Sequence, residues 1–153
     1  MVRARRPSPK GRSVAAAELA RKLGLRPGQR IRLIGAPPSA AARKREAGAG
    51  VRFVRSPNAA VDQVFWWPLV VGDLGSRMAR LQRRLAPDGS LWIVMPKQAF
   101  AHVRGIAYTW ESMQAEGLKG DFVDNKVATI DDQDYGTRFV LRKERRPAAP
   151  KKA

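Results

Sequence analysis

The chain contains no cysteine, which excludes disulfides, thiolate-held metal, a cysteine nucleophile and direct thiol redox sensing. It has a single histidine, His102, so a histidine-based metal cluster is excluded and a Ser-His-Asp triad would depend on that one residue. An ordinary loop position is the expectation for it. Acids are scarce, with 13 Asp and Glu against 30 Lys and Arg. No apolar run approaches the roughly 20 residues that a membrane-spanning helix needs, and no apolar core follows the N-terminal arginines to make a secretory signal. Pro7, Pro9 and Gly11 interrupt the amphipathic helix of an organelle transit peptide. A soluble, cytoplasmic chain with no membrane span, bound metal or cofactor is expected.

What is abundant is positive charge, +17 over 153 residues, and its placement matters more than its total. Arg3, Arg5, Arg6, Lys10 and Arg12 fall in residues 1–12 without an acid. Arg142, Lys143, Arg145, Arg146, Lys151 and Lys152 stand against Glu144 alone at the other end. Both ends are rich in Pro, Ala and Gly and bury too little apolar surface to fold. The expected organisation is a disordered basic arm over 1–12, one domain over 13–143 and a disordered basic tail over 144–153. Hydrophobic content of 44% is ordinary for such a domain.

Within the domain, Ser13 is a candidate cap for a helix over Val14 to Leu23, ended by Gly24. Arg30 to Ile34 reads as a strand, Ser39 to Ala47 as a polar helix and Val51 to Val54 as a second strand, a β-α-β unit with parallel pairing. Val61 to Trp67 reads as a third strand. Leu74, Met78, Leu81 and Leu85 follow at helical spacing, with arginines on the other faces. Ala86-Pro87-Asp88-Gly89 is expected to turn the chain into Leu91 to Met95, an apolar run suited to the centre of a sheet. After a loop through Lys97 and His102 comes a helix from Thr109 to Glu116, with Trp110 and Met113 facing inward. Phe122 to Ile130 and Thr137 to Leu141 then form an antiparallel hairpin. Alternating strands and helices predict an α/β, Rossmann-like domain with a mostly parallel sheet and a C-terminal antiparallel hairpin.

This order resembles class I methyltransferases over about residues 30 to 142, with Leu85 to Gly89 and Leu91 to Val94 in the places of that fold's Pro-Asp-Gly turn and fifth strand. A closer resemblance, over roughly residues 13 to 143, is to the bacterial family called domain of unknown function 3052. It is carried by Lys22-Leu23-Gly24, Pro27-Gly28, Ala36-Pro37, Ala86-Pro87-Asp88-Gly89, Trp92, Pro96-Lys97, Val123-Asp124-Asn125-Lys126-Val127 and Phe139-Val140. The resemblance implies a small Rossmann-like bacterial protein and brings no catalytic residue.

An S-adenosylmethionine site on such a fold needs a glycine-rich turn after the first strand and an acid after the second. Here Gly35 is alone, Pro37 and Pro38 lack amide hydrogens, and the second strand runs into Arg55-Ser56-Pro57. Residues able to line a ligand crevice are Gly35, Ala36, Arg55, Trp67, Lys97 and Lys126, of which the cations would suit a small anionic metabolite. Asp132, Asp134 and Gly136 faintly resemble a calcium loop, but Lys143 stands where its glutamate should be. Trp66, Trp67 and Trp92 are expected in the core.

The functional expectation is a non-enzymatic regulatory or interaction module. Its basic ends would give sequence-independent affinity for nucleic acid, with an acidic protein as the other candidate partner. Arg3, Arg5, Arg6, Lys10, Arg12, Arg142, Arg145, Arg146, Lys151 and Lys152 would make that contact. The alternatives are a divergent S-adenosylmethionine-dependent methyltransferase and a sensor of a small anion.

Overall fold

Period-two alternation of large apolar residues sets the layers of the molecule. In a computed structural model, which describes residues 9–146, six strands form one sheet in the order β2-β1-β3-β4-β6-β5. They are β1 (Arg30–Ile34), β2 (Arg52–Phe53), β3 (Val61–Trp66), β4 (Leu85–Pro96), β5 (Phe122–Thr129) and β6 (Asp134–Leu141). β1 pairs in parallel with β2 and β3, and β3 with β4. β6 runs antiparallel to both β4 and β5, so the last strand is inserted beside the middle of the sheet. The fold is the expected Rossmann-like α/β domain, with β3 and β4 at its centre.

Phe65, Trp67, Trp92 and Val94 point to one face, where they pack with Leu23 of α1 (Pro9–Leu23) and Ala40 of α2 (Pro38–Ala47). Val64, Trp66, Leu91, Ile93 and Met95 point to the other. There they meet Leu74 and Met78 of α3 (Leu74–Gln82) and, beyond the short α4 (Gln98–Ala101), Met113 of α5 (Trp110–Gly117). Each such fully buried side chain contributes about 1.5–3 kcal/mol over leaving it in water. Thr109 caps α5 by a reciprocal pair of hydrogen bonds with Ser112. Among the described residues no helix is long and apolar enough to cross a membrane.

Three features depart from the sequence-based expectation. Helix α1 starts at Pro9, so the backbone of Lys10 and Arg12 is helical rather than part of a loose arm. Helix α3 stops at Gln82, and the expected turn Ala86-Pro87-Asp88-Gly89 lies inside β4 as a bulge. Val61 pairs with Leu85 and Gln63 with Ser90, so β4 advances five residues where β3 advances two. A Cβ on Gly89 would lie 2.6 Å from the Asp62 carbonyl oxygen and 2.9 Å from that of Ala86. Neither backbone oxygen has room to retreat inside the ladder, so Gly89→Ala is expected to destabilise the fold by about 1–3 kcal/mol. Urea unfolding measures it, and an unchanged midpoint would mean that the bulge is pliable.

The third departure is at β2, where the expected strand from Val51 to Val54 shrinks to two residues that pair only with the first two of β1; residues 54–60 then return to β3 without a helix. Parallel strands are usually joined through a helix that covers the sheet. Here the α3 side of β1 lacks that cover.

Candidate ligand crevice

The chain leaves β1 for β2 on one side and joins β3 on the other, so a crevice opens beyond the carboxyl ends of β1, β3 and β4, where ligands of open α/β sheets bind. The cavity there is small, about 240 Å³, and its lining includes Gly35, Pro37, Trp67, Val94, Pro96 and Arg104. Gly35 has φ 70°, a conformation that favours glycine. A Cβ on it would stand 3.0 Å from the Trp67 carbonyl oxygen. The space that the bare glycine leaves is therefore taken by the chain's own backbone.

Helix α2 starts at this crevice with Pro37 and Pro38 and has no side-chain cap. The prolines offer no N–H to a ligand. Asp134, buried at the start of β6, stands behind two of the lining residues, Trp67 and Arg104. It accepts a hydrogen bond from Trp67 Nε1 at 3.1 Å through one oxygen and is ion-paired with Arg104 through the other. The neighbouring Asp131 carboxylate accepts the backbone N–H groups of Gln133 and Asp134 at 2.9 and 2.8 Å and so shapes the turn. Asp134 of the calcium-like segment is thus engaged within the protein, and among the described residues no group of three or more His, Asp or Glu is placed to hold a metal ion. Tyr108 donates its hydroxyl to the Pro68 carbonyl at 2.7 Å, pinning the loop after β3, and burial raises its pKa.

Beneath the crevice lies Lys44, 1% exposed on the inner face of α2. Its Nζ sits 3.5 Å from the centroid of the Phe65 ring and 5.3 Å from that of a Trp67 ring, and it has no hydrogen-bond partner among the described residues. Burial pushes its pKa down to about 7, against the upward pull of Asp131 and Asp134.

Of the residues expected at the crevice, Gly35 and Trp67 line the cavity, and Ala36 packs against the α2-side core. Arg55 is exposed beyond β2, whose last residue pairs with Ile31 rather than with the upper end of β1. Lys97 precedes α4 and donates its backbone N–H to Gln133. Lys126 is at the opposite end of the sheet: its Nζ donates to the Lys22 carbonyl at 2.6 Å, beside a polar cavity of about 430 Å³ that Gln63, Ser90 and Arg138 also line. β5 runs parallel to β4 with β6 between them, and Lys126 pairs with Arg138 at the level of Trp92, so its side chain reaches back toward α1 rather than up to the carboxyl ends of the strands, a placement that no local sequence pattern marks. Arg104 and Lys44 are the functional candidates that sequence reasoning missed, and Asp134, singled out there for a calcium-like loop, is instead held by Arg104 and Trp67. Only Lys44 carries a signal, its i, i+4, i+7 spacing with the buried Ala40 and Ala47.

Arg142, Arg145 and Arg146 are drawn onto the folded body. The Arg142 N–H donates to the Asp121 carbonyl at 2.8 Å, Arg145 Nε is 3.6 Å from an Asp121 carboxylate oxygen, and Arg146 Nε donates to the Leu141 carbonyl at 3.1 Å. Arg3, Arg5, Arg6, Lys151 and Lys152 lie outside the described residues, as does most of the expected disorder of both ends. Trp66, Trp67 and Trp92 are core residues, and His102 is an exposed residue at the end of α4.

No family model matches the chain, and no curated protein matches it. Solved structures do. The N-methyltransferase NodS from Bradyrhizobium japonicum WM9 in complex with S-adenosyl-L-homocysteine aligns with a TM-score of 0.52 at 13% identity, over 88% of this chain and 89% of that one. Magnesium protoporphyrin IX methyltransferase (ChlM) from Synechocystis PCC 6803 with bound SAM gives 0.51 at 10%, over 87% and 79%. A chain of a fibrillarin/Nop5p complex gives 0.53 at 12%, over 77% and 75%. At such identities the likeness is one of fold: the chain has the methyltransferase-like α/β architecture.

Proposed function

We propose that this chain is a non-enzymatic member of the domain of unknown function 3052 family, a regulatory or interaction module on a methyltransferase-like scaffold with sequence-independent affinity for nucleic acid. The observation that carries this reading is the closed crevice. Its cavity of about 240 Å³ falls below the ~300–1,000 Å³ of small-molecule sites. The Trp67 backbone fills the space over Gly35, no acid follows β2 before β3, no acid among the described residues lines the cavity, and Asp134 behind it is engaged by Arg104 and Trp67. A cofactor bearing a sulfonium cation would meet Arg104 there, with Lys44 behind the aromatic wall. These residues do not fit an adenosyl cofactor. The charge of +17 supports the nucleic-acid part of the reading, since Lys and Arg bind phosphates by releasing counterions.

The shared scaffold favours a second reading, a divergent S-adenosylmethionine-dependent methyltransferase, and speaks for it more directly than for the first. Calorimetric titration separates the two. With S-adenosylmethionine the first reading expects a Kd no tighter than about 1 mM, worth ~4 kcal/mol. Micromolar affinity would establish the second.

A further inference from the structure

We infer that the groove between α3 and β1 is a track for the phosphate backbone of nucleic acid, gripped by Arg32, Arg77, Arg80, Arg83 and Arg84. The inference rests on the nucleic-acid part of the function proposed above and adds a contact on the folded body to that of the chain ends.

The groove exists because residues 54–60 join β2 to β3 without a helix. It has a volume of about 360 Å³, the five arginines along it, Ile34 and Leu81 among its apolar lining, and Pro57 and Asn58 from the crossover at its rim. Strands of a parallel sheet are ordinarily apolar on both faces. In β1, Ile31 and Leu33 enter the α2-side core and Ile34 packs on the α3-side core, yet Arg32 stands on the α3 side where an apolar residue belongs. That placement suits a face covered by negative charge rather than by another helix.

Arg77, Arg80 and Arg84 recur at near-helical spacing along α3 and just past its end, while Arg32 supplies charge from the sheet. Arg77 also lies 4.4 Å over the Trp66 ring, which holds its guanidinium in place. No acid lines the groove, and none of the five arginines forms an ion pair among the described residues. Crowded like charges repel, and a partner with regularly spaced anions relieves that cost. Guanidinium forks match phosphate oxygens in pairs. A recessed row of charge admits a strand, whereas a lipid surface is flat and is entered through exposed apolar side chains. The exposed Leu69, Val70, Val103 and Val127 do not line the groove.

The test uses the full chain and a short labelled DNA duplex of mixed sequence. Arg80→Gln/Arg84→Gln removes two exposed groove charges, and Arg43→Gln/Arg45→Gln removes two exposed charges from α2 on the opposite face. Fluorescence anisotropy should give the groove variant about tenfold weaker binding and a salt slope smaller by about two, with a clearly smaller effect in the α2 variant. Arg80→Lys/Arg84→Lys should recover most of the affinity, and melting curves check that all variants are folded. Equal losses in the groove and α2 variants would overturn the track, leaving net charge as the cause. A fourth variant, with Arg3, Arg5, Lys151 and Lys152 changed to Gln, separates the two proposals. Loss there with none in the groove variant sinks the track and leaves the nucleic-acid reading standing. Absence of duplex binding by the unaltered chain at low salt sinks both, and groove-dependent binding to anionic vesicles without duplex binding replaces nucleic acid by a membrane.

Discussion

Lys44→Met is expected to stabilise the protein by about 1–4 kcal/mol near pH 6, the gain typical when a buried charge gives way to a packed apolar side chain. Burial lowers the Lys44 pKa from 10.5 to about 7 despite the pull of Asp131 and Asp134. Between those values the unfolded chain holds the proton more tightly than the folded one. Stability therefore rises as pH climbs from about 7 to 10.5, by up to ~1.4 kcal/mol per unit, and the full penalty is present below pH 7. The variant should lose this rise along with the penalty, since methionine keeps the length of the side chain against Phe65 and Trp67. Urea unfolding at pH 6, 8 and 10 reads both effects. A variant less stable than the parent at pH 6 would mean that the Phe65 ring and the two aspartates more than compensate the amine.

Asp134→Ala works in the opposite direction, with an expected loss of about 1–3 kcal/mol, because it leaves a buried indole donor unsatisfied and a partly exposed guanidinium without its partner. Arg104 and the Trp67 indole N–H both lose their acceptor. Asp134→Asn keeps an oxygen for the indole but no charge for Arg104, so its loss should be intermediate. The two sites are coupled through space: without Asp134 the Lys44 amine loses part of its compensation, and Lys44→Met should then stabilise more than it does in the parent. A thermodynamic cycle by calorimetric melting measures that excess. Strict additivity would show that the acid and the amine do not sense each other.

The layers of the fold are legible in the sequence because they rest on local periodicity. Ile31 and Leu33 alternate, Leu91 to Met95 is uninterrupted, and Leu74, Met78 and Leu81 make a helical stripe; the elements stand on these patterns except at Leu85, which continues the stripe in sequence but opens β4. The hairpin is legible from its short connection, though not the insertion of β6 between β4 and β5, since strand order is a property of long-range pairing. The bulge at Ala86 to Gly89 was hidden because Pro-Asp-Gly is the same signal whether the chain turns or arches within a ladder. Arg104 and Asp134 lie 30 residues apart, and no local pattern joins them. Lys44 sits in Arg43-Lys44-Arg45-Glu46, which has the composition of a solvated helix face, and only its neighbours Ala40 and Ala47 mark the side that turns inward.

The insertion of β6 bears on how the molecule comes into being. β4 has one bonding edge on β3 and offers the other to β6, which ends at Leu141. While the ribosome still holds that strand, the growing chain carries a long, apolar, unpaired border from Leu91 to Met95, the kind of edge that recruits other strands. Completion of the sheet thus waits on β6, the last of its strands to be made, and a nascent chain cut short before it would be left sticky rather than merely incomplete.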